Sequence, residues 1–115
     1  MNKIKVIVKR PDEKFGHMTW ISDTLENLQK HIDGHIQVVP ITPVLPGEGL
    51  INNGLVMICN EKGKIRHLNR NFVMGIAAPD VVVGTVILCG TNGDEFADIP
   101  IDMSQWKRIL NLWGN

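Results

Sequence analysis

The chain has 115 residues, 43% of them apolar and 21% charged, which fits one domain, residues 1–115, with a single modest core. Twelve Lys and Arg balance twelve Asp and Glu, so no global field draws the molecule to nucleic acid or to a membrane surface. The charge is patchy: residues 1–14 and 61–70 each carry a net +3, residues 71–102 hold five acids and no Lys or Arg, and residues 103–115 return to +2.

In chain order, Lys3 to Lys9 is predicted as the first strand, with Ile4, Val6 and Val8 on one face. Residues 10–14 are a proline-marked turn, and His17 to Ile21 return as the second strand of a hairpin. A short helix follows. Asp23 and Glu26 have capping-box spacing, Leu25, Leu28 and Ile32 share a face, and Gly34 is the expected stop.

His35 to Pro40 reads as the next strand, and the Pro, Gly and Asn of residues 40–54 predict a long, exposed, mobile loop. Leu55 to Cys59 is a buried strand, residues 60–63 turn, and Lys64 to Leu68 alternates as its hairpin partner. Val81 to Cys89 is the longest strand and is expected at the centre, followed by a turn at residues 90–94 into Glu95 to Asp98. Asp102 with Gln105 opens a second, C-terminal helix whose buried stripe is Trp106, Ile109, Leu110 and Trp113, with Lys107 and Arg108 off it. The order predicts an α+β domain: a mostly antiparallel sheet of about six strands, one helix after the second strand, one at the C-terminus, and both on one face.

No apolar signal core follows Met1, and the longest apolar run is broken by Gly84 and Thr85, so a cytoplasmic protein without a membrane span is expected. Cys59 and Cys89 then read as reduced, buried small hydrophobes. Burial raises a thiol's pKa, which speaks against Cys59 as a nucleophile. Metal ligation is not expected either. There is no paired C-x-x-C spacing, His31 and His35 straddle the end of the first helix, and Asp94, Glu95, Asp98 and Asp102 do not follow the calcium-loop pattern. Without a P-loop or a glycine-rich strand-to-helix turn, no cofactor is expected.

The stretch with most chemistry is CNEKGKIRHLNRNF, residues 59–72. Arg66 and Arg70 could fork onto phosphate oxygens, Asn69 and Asn71 could read a base or ribose, and Phe72 could stack. A solvated, charged hairpin face explains the same residues. If a pocket is present, Asn92, Phe96, Lys107 and Arg108 are candidates for its other side. The Trp-rich second helix also suggests packing against a second copy of the chain, a homo-oligomer.

The segments TLENLQ, HIQVVPI, VMICNEKGK, LNRNF, DVVVGTVILCG and EFADIP, in that order, resemble a small bacterial and phage family known only as a domain of unknown function. That family is common on phages and conjugative elements of Gram-positive bacteria, and the resemblance spans roughly residues 3–101. The element order also resembles the phage Thoeris anti-defence proteins, which bind cyclic ADP-ribose-type signals or cyclic oligonucleotides without cleaving them. That second resemblance implies a non-enzymatic protein that sequesters a small nucleotide immune signal in the host cytoplasm. Its rival is a protein-binding inhibitor of a host restriction or CRISPR effector, docking through the acidic 94–102 block or the 40–54 loop. Direct nucleic-acid binding ranks below both because the net charge is zero.

Overall fold

The computed structural model describes residues 3–115. Its main sheet is antiparallel throughout and built from β1 (Lys3–Lys9), β2 (His17–Ser22), β3 (Ile36–Pro40), β6 (Val56–Asn60), β9 (Val86–Asn92) and β10 (Glu95–Ala97). The spatial order is β2-β1-β9-β6-β3, with β10 folding back on the far end of β9. Two ribbons stand apart from it: β4 (Val44–Leu45) with β5 (Gly49–Leu50), and β7 (Arg70–Met74) with β8 (Asp80–Val83). The helices are α1 (Leu25–Ile32) and α2 (Met103–Leu112), so the expected α+β class holds.

The helices do not share a face. Along β1, β6 and β9 the alternate residues Ile4, Val6, Val8, Val56, Ile58, Ile87 and Cys89 pack with Leu28 and Ile32 of α1. The opposite parity, Ile7, Met57 and Leu88, packs with Trp106, Ile109 and Leu110 of α2. A central strand buried on both sides needs a cover on each. The apolar runs of β1, β6 and β9 supply both faces, and that is why the two helices separate.

Local signals place most boundaries. Asp102 and Gln105 form the expected capping box on α2, with Gln105 N–H donating to the Asp102 carboxylate at 2.8 Å and Asp102 N–H to the Gln105 amide oxygen at 3.0 Å. At α1 the cap is one residue later than predicted: the Thr24 hydroxyl accepts from Asn27 N–H. The left-handed residue that ends α1 is Asp33, φ 63°, with Gly34 following.

Three expectations are corrected. Residues 64–68 are a chain of tight turns, not a strand. Arg66, His67 and Leu68 N–H groups donate to the carbonyls of Lys62, Lys64 and Gly63, and His67 sits at φ 56°. Ile65 is 77% exposed. The run from Val81 to Cys89 is two strands, because Gly84 turns at φ 74° and its N–H donates to Asn69 C=O, sending β8 off to pair with β7. Residues 40–54 are not a free loop. Ile41, Leu45 and Ile51 are buried in the α2-side core, and Glu48 at the β4–β5 turn bonds Gln105 and Arg108 of α2.

The α2 side is closed by three aromatic rings. Phe72 meets Trp106 edge-on at 5.6 Å and stacks parallel on Trp113 at 6.2 Å, and the two indoles meet edge-on at 6.1 Å. Trp106 is thus fully enclosed within its own chain, whereas Trp113 at the end of the stripe is half-buried. No helix among the described residues is long and apolar enough to cross a membrane.

Candidate functional site

The nine residues singled out in the sequence are dispersed. Arg66 reaches back to the end of α1, where its guanidinium donates to the Asp33 carbonyl and, at 3.1 Å, to the Asp33 carboxylate. That is a C-terminal cap for α1, which leaves the guanidinium occupied. Asn69 and Arg70 are exposed, and among the described residues Arg70 is in no ion pair.

Asn71 is the extra residue of a bulge in the β7–β8 ladder and turns inward. Its amide donates to Lys9 C=O at 2.9 Å and Gly84 C=O at 2.8 Å, and its oxygen accepts from the Lys9 ammonium at 2.5 Å. Phe72 is 1% exposed and belongs to the aromatic core, so it cannot stack on a ligand. Asn92 and Phe96 sit at the β9–β10 end of the sheet. The register Val56↔Cys89 puts that end opposite to the one where β6 runs into residues 60–65. On α2, the Lys107 ammonium lies 5.0 Å from the Phe15 ring, and Arg108 pairs with Glu48.

What the fold builds instead is a cleft of about 410 Å³ on the outer half of the sheet, within the range of small-molecule sites. Its floor is two cross-strand pairs of β3 and β6, Gln37↔Cys59 and Val39↔Met57. One wall is Met74 with Asp80 to Val83 from the β7–β8 ribbon, and the other is the turn from Asn60 to Ile65. The sequence carries this wall in plain view, because CNEKGKI is the front half of the stretch that drew attention to residues 59–72. The chemistry lay a few residues earlier than the arginines suggested.

The turn is held rigidly. Asn60 is buried, its amide donates to the carbonyls of Ile32 and Asp33 at the end of α1, and its oxygen accepts from Lys62 N–H at 2.8 Å. Gly63 packs so closely that a Cβ there would stand 3.0 Å from a Val83 methyl. Lys62 and Lys64 thus project from a fixed backbone onto the rim of an apolar floor. The Lys64 ammonium is 2.6 Å from the Asp80 carboxylate, a solvent-exposed pair that contributes little to stability and can open for a ligand.

The half-buried Cys59 lines the cleft, but burial and then the Asp80 charge push its thiol pKa up. Cys89, fully inside, is pushed up to about 12 by burial. Both thiols stay protonated near neutral pH, without the thiolate form that a nucleophilic cysteine needs. Among the described residues no group of three His, Cys, Asp or Glu side chains could hold a metal ion.

No curated protein and no solved structure matches the chain. A family model does, over residues 4–112, a span that runs from the second residue of β1 to the end of α2. The chain belongs to the family described as Domain of unknown function (DUF3846).

Proposed function

We propose that the protein is a non-enzymatic binder that holds a small nucleotide in the cleft between β3, β6 and the β7–β8 ribbon, and acts by withholding it. The observation that carries this reading is an apolar floor of Val39, Met57 and Cys59 under two lysines fixed on one turn. A base or ribose would lie on the floor, the Gln37 amide would reach its polar edge, and Lys62 and Lys64 would neutralise phosphates. The phage or mobile-element setting implied by the sequence resemblance makes an immune signal, a cyclic ADP-ribose isomer or cyclic oligonucleotide, the ligand class to test first.

The test is calorimetric titration with that panel, followed by recovery of the ligand. Saturable binding with intact ligand is expected. Lys62→Ala with Lys64→Ala should weaken it by at least about tenfold, since a hydrogen bond to a charged group contributes roughly 1.5–3 kcal/mol. Bound ligand should also slow alkylation of Cys59. No heat from any member of the panel, or a consumed ligand, would sink the proposal.

A second reading, an inhibitor that docks on a host protein, draws on the cleft's surroundings. Ile65 and Val81 on its walls are exposed, as is Ile76 in the apolar turn between β7 and β8. The acidic 94–102 block favours that reading less. Asp98 already accepts from Lys5 N–H, and Asp102 is committed to capping α2.

A further inference from the structure

The cleft over β3 and β6 carries acids as well as lysines. Four charged side chains line it: Lys62 and Lys64, with Glu61 on the same turn and Asp80 on the opposite wall. Two cations and two anions cancel, so the lining offers a phosphate local contacts without a net positive field. A site for a triphosphate gathers cations around the charge it must neutralise, and this lining does not.

Asp80 is the acid that a bound anion meets first. It opens β8 and is paired across the ribbon with Met74, so its backbone is fixed. Its carboxylate is 2.6 Å from the Lys64 ammonium, a contact that joins the two walls of the cleft. A phosphate oxygen docked on Lys64 therefore lies within a few ångströms of a carboxylate oxygen, well inside the Debye length of ~8 Å at physiological salt. The same charge reaches the floor: burial first, and then Asp80, hold the Cys59 thiol pKa up.

Repulsion of this kind falls unequally on nucleotides. A phosphodiester carries a single negative charge, whereas a terminal phosphate carries about −1.5 to −2 at pH 7. More charge beside Asp80 costs more, while the apolar floor serves both ligands alike. A repulsive group built into a site is one of the two ways to reject a close relative of the ligand.

We propose that Asp80 is the specificity-determining residue of the cleft, selecting nucleotides whose phosphates are diesters over those that end in a terminal phosphate. This selectivity rests on the reading of the cleft as a nucleotide site, and it narrows that reading to a ligand class. It is also what a sequestering protein needs, because the abundant mono- and triphosphates of a cell are turned away while a cyclic nucleotide is held.

Cyclic di-AMP and its linear opening product, which has the same bases and one terminal phosphate, are the probes, titrated against the parent, Asp80→Asn and Asp80→Glu. The parent should prefer the cyclic form. Asp80→Asn should narrow that preference by about fivefold, the effect of one unit charge at about 4 Å in a well-hydrated site, and Asp80→Glu, which keeps the charge, should retain it. A second measurement needs no nucleotide: the rate of Cys59 alkylation by anionic iodoacetate relative to neutral iodoacetamide, with the fully buried Cys89 silent. The ratio cancels any change in thiolate fraction, and Asp80→Asn should raise it several-fold. An unchanged ratio, or the same preference in parent and Asp80→Asn, overturns the assignment of Asp80 and leaves the nucleotide reading standing. Binding of neither form to the parent or to Asp80→Asn overturns that reading, and the role of Asp80 with it.

Discussion

Trp106→Ala should lower the stability of the domain by about 3–5 kcal/mol, the usual cost of truncating a buried aromatic to alanine. Trp106 is 0% exposed and touches both ring partners, Phe72 and Trp113. Its indole N–H donates to Phe15 C=O at 2.8 Å, so the truncation also strands a carbonyl of the β1–β2 connection. Domains of this size have roughly 5–15 kcal/mol in total, so the variant should melt ~15 °C lower and be partly unfolded at modest urea. Trp20→Ala is the control: with its ring largely in solvent, it should change stability by no more than about 0.5 kcal/mol. Equal urea midpoints for the two variants would mean that the three-ring cluster is not the centre of the α2-side core.

The second large effect is expected at Asn71, a residue whose side chain joins three segments. Asn71→Leu keeps the volume but removes both donors and the acceptor, leaving Lys9 C=O and Gly84 C=O without that partner and the Lys9 ammonium with one acceptor fewer. At roughly 1–3 kcal/mol for each buried group left unsatisfied, a loss of about 3 kcal/mol is expected.

The same substitution should change the pH dependence. Lys9 is 2% exposed, and burial, opposed by the Glu13 and Asp12 charges, lowers its pKa from 10.5. A base with a lowered folded pKa binds fewer protons folded than unfolded, so its contribution rises as pH climbs from the folded value toward 10.5. Removing the Asn71 acceptor lowers the folded value further, so the variant's deficit should shrink in alkaline buffer. Urea midpoints of variant and parent between pH 7 and 10 give the difference directly, with the opposing titration of Cys89 common to both. A deficit that grows with pH would show that Asn71 does not stabilise the charged lysine.

Much of the fold was legible because its signals are local. The capping box at Asp102 and Gln105 and the 3.6-residue stripe of α2 depend on neighbours in sequence, and both form as written. The site was legible only in part, for a physical reason. Asn71, Phe72 and Arg66 are chemically suited to a nucleotide, but composition cannot tell that a bulge turns Asn71 inward or that Arg66 caps a helix 33 residues away. Ile65 and His67 looked like alternate positions of a strand. The N–H groups of Gly63, Arg66, His67 and Leu68 donate to carbonyls within the turn, and that overrides a two-residue period. Lys9 reads as the polar end of a strand. Its burial follows from the β7–β8 ribbon, which begins 61 residues later.

The strand order carries a consequence for how the molecule comes into being. In the main sheet the β1–β2 hairpin and the β3–β6 pair touch only through β9, which bonds Ile7 to Lys9 on one side and Val56 to Ile58 on the other. During synthesis both halves exist before their connector does, each with apolar residues and an open edge facing water. They can close only once residues 86–89 have left the ribosome. Joining such distant segments is slow, on the order of milliseconds to seconds for β-rich topologies. The nascent chain is therefore most exposed to wrong partners in the interval before β9 arrives, and shortening that interval would improve its yield more than strengthening any one contact in the finished sheet.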